Sequence, residues 1–140
     1  MELDSWKNLK DKCLEETGCR PYSGVGIGYR KKEKICICRS VDDTNYYDDD
    51  LKNINNPEYT LFGQEGDQSL SEKRFNEPLL NRDKTKRIFL YRKVRKDKNT
   101  KKEKYIWYGE YEIISQSSKQ HPDKNGNMRK IYILSLLKKS

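Results

Sequence analysis

Histidine is almost missing from this chain, and its scarcity removes several enzymes at once. His121 is the only one and sits in a turn-like stretch, so neither an HNH nuclease nor a zinc-deaminase site can be assembled. Cysteine is scarce as well. Cys13, Cys19, Cys36 and Cys38 form no C-x-x-C pair and have no histidine nearby in sequence. That argues against a metal site and for buried, reduced thiols in an intracellular protein. The longest apolar run, residues 131–137, is too short to span a bilayer, so no membrane partner is expected. Met1-Glu2-Leu3-Asp4 brings an acid early and no apolar stretch, so no secretory leader is expected either. The glycine-rich run Pro21-Tyr22-Ser23-Gly24-Val25-Gly26-Ile27-Gly28 lacks the Lys-Ser/Thr ending of a phosphate loop. Its glycines suit tight turns or close approach to a ligand. No Asp…Glu-x-Lys nuclease motif surrounds Asp67 or Asp97, and nothing pairs the acids at 48–50 with a nucleophile or metal set. The expectation is a protein that is not an enzyme, with no catalytic residues, no metal and no cofactor.

What is present points to a folded, basic domain. A chain of 140 residues favours one domain. Hydrophobic residues make up 33%, a modest core, but 11% are aromatic and ten are tyrosines, which disordered chains usually lack. The net charge of +8 is localised: residues 82–104 hold twelve Lys/Arg against three Asp/Glu, more than the whole excess. Such a block suits a polyanion, because neutralised phosphates release their condensed counterions.

Periodicity orders the elements. Leu3, Trp6, Leu9, Cys13 and Leu14 predict a helix ending near Thr17, capped by Asp4 or Ser5 and stopped by Gly18. Residues 34–39 read as a strand, with Cys36 and Cys38 alternating with Ile35 and Ile37. Residues 41–58 read as loop and 59–70 as irregular, and Asn76 is placed to cap a short helix through Leu80. Residues 87–94, 105–114 and 129–137 read as strands, separated by a basic tip at 95–104 and a turn at 121–126. The sum is a mainly β domain with a helix or two, curved or closed into a barrel.

The middle of the chain carries a resemblance. Tyr59-Thr60-Leu61-Phe62-Gly63-Gln64-Glu65-Gly66-Asp67-Gln68, followed by Asn76 and Leu79-Leu80, resembles the SRA (SET and RING finger-associated, or YDG) domain. Gly26-Ile27-Gly28-Tyr29-Arg30 is similar to that family's glycine-rich segment, and Tyr47-Asp48-Asp49-Asp50 to its Tyr-x-Asp-Asp segment. The step of twelve residues from Tyr47 to Tyr59 matches the family spacing, and Tyr108-Gly109-Glu110-Tyr111 looks like its Tyr-Asp-Gly-x-Tyr strand. The resemblance implies an α+β fold of the PUA-like superfamily: one SRA-like domain over 1–140, with an N-terminal helix at 1–18, a curved β-barrel at 22–140 and one short internal helix. The compact form is similar to SRA-like domains attached to microbial HNH endonucleases.

The resemblance also implies a function. The partner would be double-stranded DNA carrying a modified cytosine, 5-methyl or 5-hydroxymethyl, flipped out of the duplex into an aromatic pocket. Flipping costs a few kcal/mol of stacking and pairing. Base-on-aromatic stacking returns about 1–3 kcal/mol per base. Tyr47 and Tyr59 hold the positions that sandwich the base, Asp50 the position of the carboxylate that accepts from the cytosine amino group, and Thr60 the position near C5. Tyr46 replaces a usual glycine and rivals Tyr47 for stacking; Leu61 replaces another, and residues 69–74 are shorter than the finger of animal relatives. Arg30, Arg95, Lys96, Lys98, Lys101 and Lys102 would contact the DNA backbone. Alternatives are a PUA-like RNA binder, or a stand-alone specificity or inhibitor module of a restriction-type nuclease encoded on another chain. Either way an intracellular location follows, in cytoplasm, nucleoid or nucleus.

Overall fold

The computed structural model describes residues 1–42, 44–94 and 103–139. Nine elements run in the order β1 (Glu2–Leu3), α1 (Trp6–Thr17), β2 (Ile27–Arg30), β3 (Ile35–Val41), β4 (Glu58–Thr60), α2 (Asn76–Leu80), β5 (Arg87–Val94), β6 (Lys104–Pro122) and β7 (Met128–Lys138). The strands form one sheet in the order β2-β3-β5-β6-β7-β4, with β1 added onto β6. Among the described residues only the β3–β5 pair is parallel.

Helix α1 starts and stops where its sequence dictates. Ser5 caps it by accepting the Asn8 N–H at 3.1 Å, and Gly18 (φ +74°) donates back to the Leu14 carbonyl at 2.9 Å. Leu9 and Cys13, one turn apart, are fully buried against the sheet. The residues before Ser5 depart from the expected helix: Glu2 and Leu3 pair with Ile106 and Tyr105 of β6.

Strand β3 is covered on both faces, which explains its unbroken apolar run. Ile35 and Ile37 pack with α1, beside Phe89, Tyr91, Tyr105 and Trp107. Cys36 and Cys38 face the other way, into a cluster with Ile27, Tyr59, Leu90, Tyr111, Leu134 and Leu136. That second cluster joins residues from β2 and β4, the two ends of the strand order, so the sheet curls around it. All four cysteines are free and buried. Burial pushes the Cys13 and Cys36 thiols up to about 11, so they behave as small hydrophobes.

A bulge gives β6 its dual allegiance. Leu90 pairs with Gly109 and Tyr91 with Trp107, leaving Tyr108 as the extra residue. Gly109 adopts φ +97°, a conformation side chains resist. One extra residue inverts the alternation, so Tyr105 and Trp107 serve the helix side whereas Tyr111 turns into the barrel. A second irregularity between Ile113 and Ser115 precedes a polar, exposed arm that pairs with β7 as far as Pro122.

Candidate nucleic-acid interface

Strand β4 and the loops on either side of it enclose a cavity of about 250 Å³ beneath the glycine run 24–26. Its walls include Tyr46, Tyr47, Tyr59, Phe62 and Phe75, with Asp49 and Thr60 between them. Arg39 and Lys93 line the same cavity. Tyr46 and Tyr47 meet edge-on, centroids 4.8 Å apart at 73°, and Phe62 and Phe75 meet at 4.6 Å and 58°. The Arg74 guanidinium lies 5.3 and 5.1 Å from the centroids of that second pair.

Asp49 is the carboxylate that the fold turns inward. Its Oδ1 accepts the Thr60 N–H at 2.6 Å and its Oδ2 accepts the Ser40 hydroxyl at 2.7 Å. Burial pushes its pKa up, and the Thr60 and Ser40 hydrogen bonds lower it only in part. Thr60 is buried and also accepts the Asp48 N–H through its hydroxyl at 2.9 Å, clasping the acidic segment to β4.

The structure differs from the sequence expectation at Asp50. That residue is exposed and does not line the cavity; its main chain pairs with Glu58, and its Oδ1 accepts the Lys52 N–H at 3.0 Å. The reason is alternation along extended chain: the bridge to Glu58 sends Asp49 to one face and Asp50 to the other. Tyr47, Tyr59 and Thr60 do lie on the cavity wall. Tyr47 is fixed by the Gly63 N–H, donated to its hydroxyl at 3.2 Å. The Tyr59 hydroxyl shares its proton between the Gly26 and Arg39 carbonyls, each at 3.0 Å, tying β4 to the β2–β3 side of the sheet.

Arg30 lies outside the cavity lining. Its guanidinium stacks 3.8 Å over the Tyr22 ring and donates Nε to the Arg20 carbonyl at 2.8 Å. Arg95, Lys96, Lys98, Lys101 and Lys102 lie outside the described residues. Asn76 does not cap α2. It is fully buried, accepts the Phe62 N–H at 2.8 Å and donates to the Phe62 and Ser69 carbonyls, thereby fixing a cavity wall. Glu72 caps α2 instead, accepting from Phe75 and Asn76 at 2.8 and 3.1 Å.

One further residue escaped sequence reasoning. Arg129, buried in β7, donates to the Gly63 and Gly66 carbonyls at 2.6 and 3.2 Å and to the Tyr46 carbonyl at 2.5 Å. It thus joins the glycine loop to the tyrosine loop. Asp123 holds the same glycine loop from the β6–β7 turn, accepting from Gly66, Asn125 and Asn127. Burial pushes the Asp123 carboxyl up, but those N–H bonds outweigh it and hold its pKa below the ordinary range. Among the described residues no group of His, Cys, Asp and Glu could hold a metal ion, and no helix is long and apolar enough to cross a membrane.

Solved structures share the curled sheet with its flanking helix. KRYPTONITE in complex with mCHH DNA, an H3(1–15) peptide and SAH superposes with a TM-score of 0.67 at 18% identity, covering 100% of this chain and 31% of that one. MspJI restriction endonuclease with a 27-mer oligonucleotide gives 0.63 at 15% identity, covering 85% and 34%. The sulfur binding and SRA domains of ScoMcrA with phosphorothioated DNA give 0.62 at 15% identity, covering 98% and 38%. The chain therefore spans about a third of the length of each of these proteins. No curated protein sequence matches it. The family model of the ScoMcrA-like SRA domain matches residues 8–139, and the chain belongs to that family.

Proposed function

We propose that this domain reads modified cytosine in duplex DNA by flipping the base into the cavity beside Asp49. The observation that carries the reading is the half-buried carboxylate turned inward on an aromatic wall. The Asp49 carboxylate accepts from Thr60 and Ser40 and keeps lone-pair capacity for a further donor, which the cytosine amino group can fill and thymine cannot. Tyr47 and Tyr59, with Tyr46 at the rim, supply ring surface for stacking. Asp49 takes the role that the sequence pattern assigned to Asp50. The complexes of KRYPTONITE and MspJI with nucleic acid support this reading by analogy of fold. The basic residues at 95–102 would supply phosphate contacts without sequence preference.

Competition binding at fixed salt tests it, using one duplex with cytosine, 5-methylcytosine or 5-hydroxymethylcytosine at a single site. A preference for modified duplex that Asp49→Asn and Tyr47→Ala abolish, and Asp50→Asn leaves intact, is the expected result. Equal binding of all three duplexes by the unaltered domain would overturn the reading.

A further inference from the structure

We infer that the free edge of β6 docks an extended, acidic segment of a partner protein. One aliphatic side chain of that segment anchors it in a small pocket at the start of β5. The surface is separate from the base cavity. Lys93 of β5 lines the cavity and Ile88 lines the pocket, five steps of about 3.3 Å apart along the same strand. Among the described residues the two linings have none in common.

Tyr111 marks the place where the edge becomes free. It pairs with Ile88 of β5 on one side and with Lys138 of β7 on the other. From Glu112 to Pro122 the β7 side stays paired, but β5 does not reach this stretch. The chain enters β5 from elsewhere: the Lys86 N–H is donated to the Lys34 carbonyl at 2.7 Å, and the Thr85 hydroxyl to the Pro78 carbonyl at 2.6 Å. Among the described residues no other strand takes the vacated edge. Such an edge presents main-chain N–H and C=O groups that an incoming strand satisfies. Proteins usually blunt an exposed edge with lysine, proline or an inward charge. Ser115, Gln116, Ser117 and Ser118 are exposed and carry none of these, and Lys119 is turned to an ion pair with Asp48.

The pocket at the head of this edge sets the partner's chemistry. It encloses about 70 Å³, room for a single aliphatic side chain, over Leu79, Leu80, Ile88 and Ile113. Ile114, the extra residue in the irregularity between Ile113 and Ser115, adds apolar surface at 50% exposure. Arg82, Lys86 and Lys139 rim the pocket against one acid, Glu112. Glu110 engages Lys139 at 3.3 Å, whereas Arg82 and Lys86 enter no ion pair among the described residues. Two uncommitted cations around an apolar hole favour carboxylates that flank an aliphatic anchor. Duplex DNA would leave both the hole and the main-chain groups of the edge unused.

The test is binding of a fluorescein-labelled eight-residue peptide that alternates Asp or Glu with Val or Ile, mapped by the amide chemical shifts of the domain. Shifts are expected at Leu80, Arg82 and residues 112–118, with residues 24–26 and 59–60 unmoved. N-methylation of every second peptide amide should abolish binding in one phase and spare it in the other, because alternate N–H groups of a strand face the edge. Arg82→Glu combined with Lys86→Glu, both exposed changes, should weaken the acidic peptide by about 10-fold with the circular dichroism unchanged. The same variant should tighten a peptide with lysine in place of the acids. No shift at millimolar peptide overturns the inference, as does equal binding of the acidic and lysine peptides. Displacement of the peptide by duplex DNA overturns it in favour of nucleic acid. Dimerisation of the domain alone through the same amides overturns it in favour of a second copy of this chain.

Discussion

Asp49 bears an electrostatic strain that its partners relieve only in part, and the strain can be measured. Its ordinary value is 3.8, and burial raises it in the folded chain. Between the unfolded and folded values the native state holds a proton that the unfolded state has lost, so stability falls as pH rises through that window. Above the window the ionised carboxylate stabilises the fold less than the protonated acid would. Asp49→Asn, which keeps an acceptor for the Thr60 N–H, should therefore raise the melting temperature at neutral pH. A lowered melting temperature would show that the two hydrogen bonds outweigh burial. The same substitution places an N–H donor where the base is read, so any residual preference should move from cytosine towards thymine, whose O4 accepts. Acidification should likewise erase cytosine preference at a pH above the usual carboxylate range, and binding titrations against pH would show it. A preference unchanged down to pH 4 would exclude Asp49 as the reader. Tyr47, Tyr59 and Thr60, which the resemblance singled out, line the cavity together. The sequence could not choose among three consecutive aspartates, because the choice depends on the bridge between Asp50 and Glu58.

At the scale of elements, the cavity depends on loops that β7 holds in place. Gln68 donates to the Leu61 and Gly63 carbonyls at 2.7 and 3.2 Å and accepts the Tyr132 N–H, so the irregular run 61–68 lies along that strand. Arg129 adds the link to Tyr46. Arg129→Met leaves three carbonyls without their donor and should lower stability by about 2–4 kcal/mol in urea unfolding. Modified-duplex preference should fall with it, and Arg129→Lys, able to reach some of those carbonyls, should lie between. Loss of stability with an undiminished preference would show that the loops keep their arrangement without the tether. The unbroken apolar run Ile88-Phe89-Leu90-Tyr91 made the strand Arg87–Val94 legible to the residue. The strand Ile27–Arg30 was hidden by its glycine and its brevity. The far half of Lys104–Pro122 was hidden because its exposed serines and glutamines show no apolar period and are held by pairing with β7 alone. Arg129 gave no local signal, since its three partners lie 63 to 83 residues away in sequence.

At the scale of the whole molecule, the charge excess is concentrated in residues 82–104, and one member of that block, Lys93, reaches the cavity lining beside Arg39. Neutralising Lys96, Lys98, Lys101 and Lys102 together should weaken binding to modified and unmodified duplexes alike. It should also flatten the dependence of log K on log salt by up to about 3–4, near 0.9 per phosphate contact. A loss confined to the modified duplex would instead place those lysines at the base.

Fluorescence reads directly whether a cytosine leaves the stack and enters the cavity beside Asp49. A 2-aminopurine next to the modified cytosine is quenched while stacked and brightens when its neighbour is withdrawn. Base flipping predicts a rise in fluorescence on adding the domain, absent with unmodified duplex and absent with Tyr47→Ala. Tight, preferential binding with no change in fluorescence would contradict it, because the modification would then be read within the intact helix.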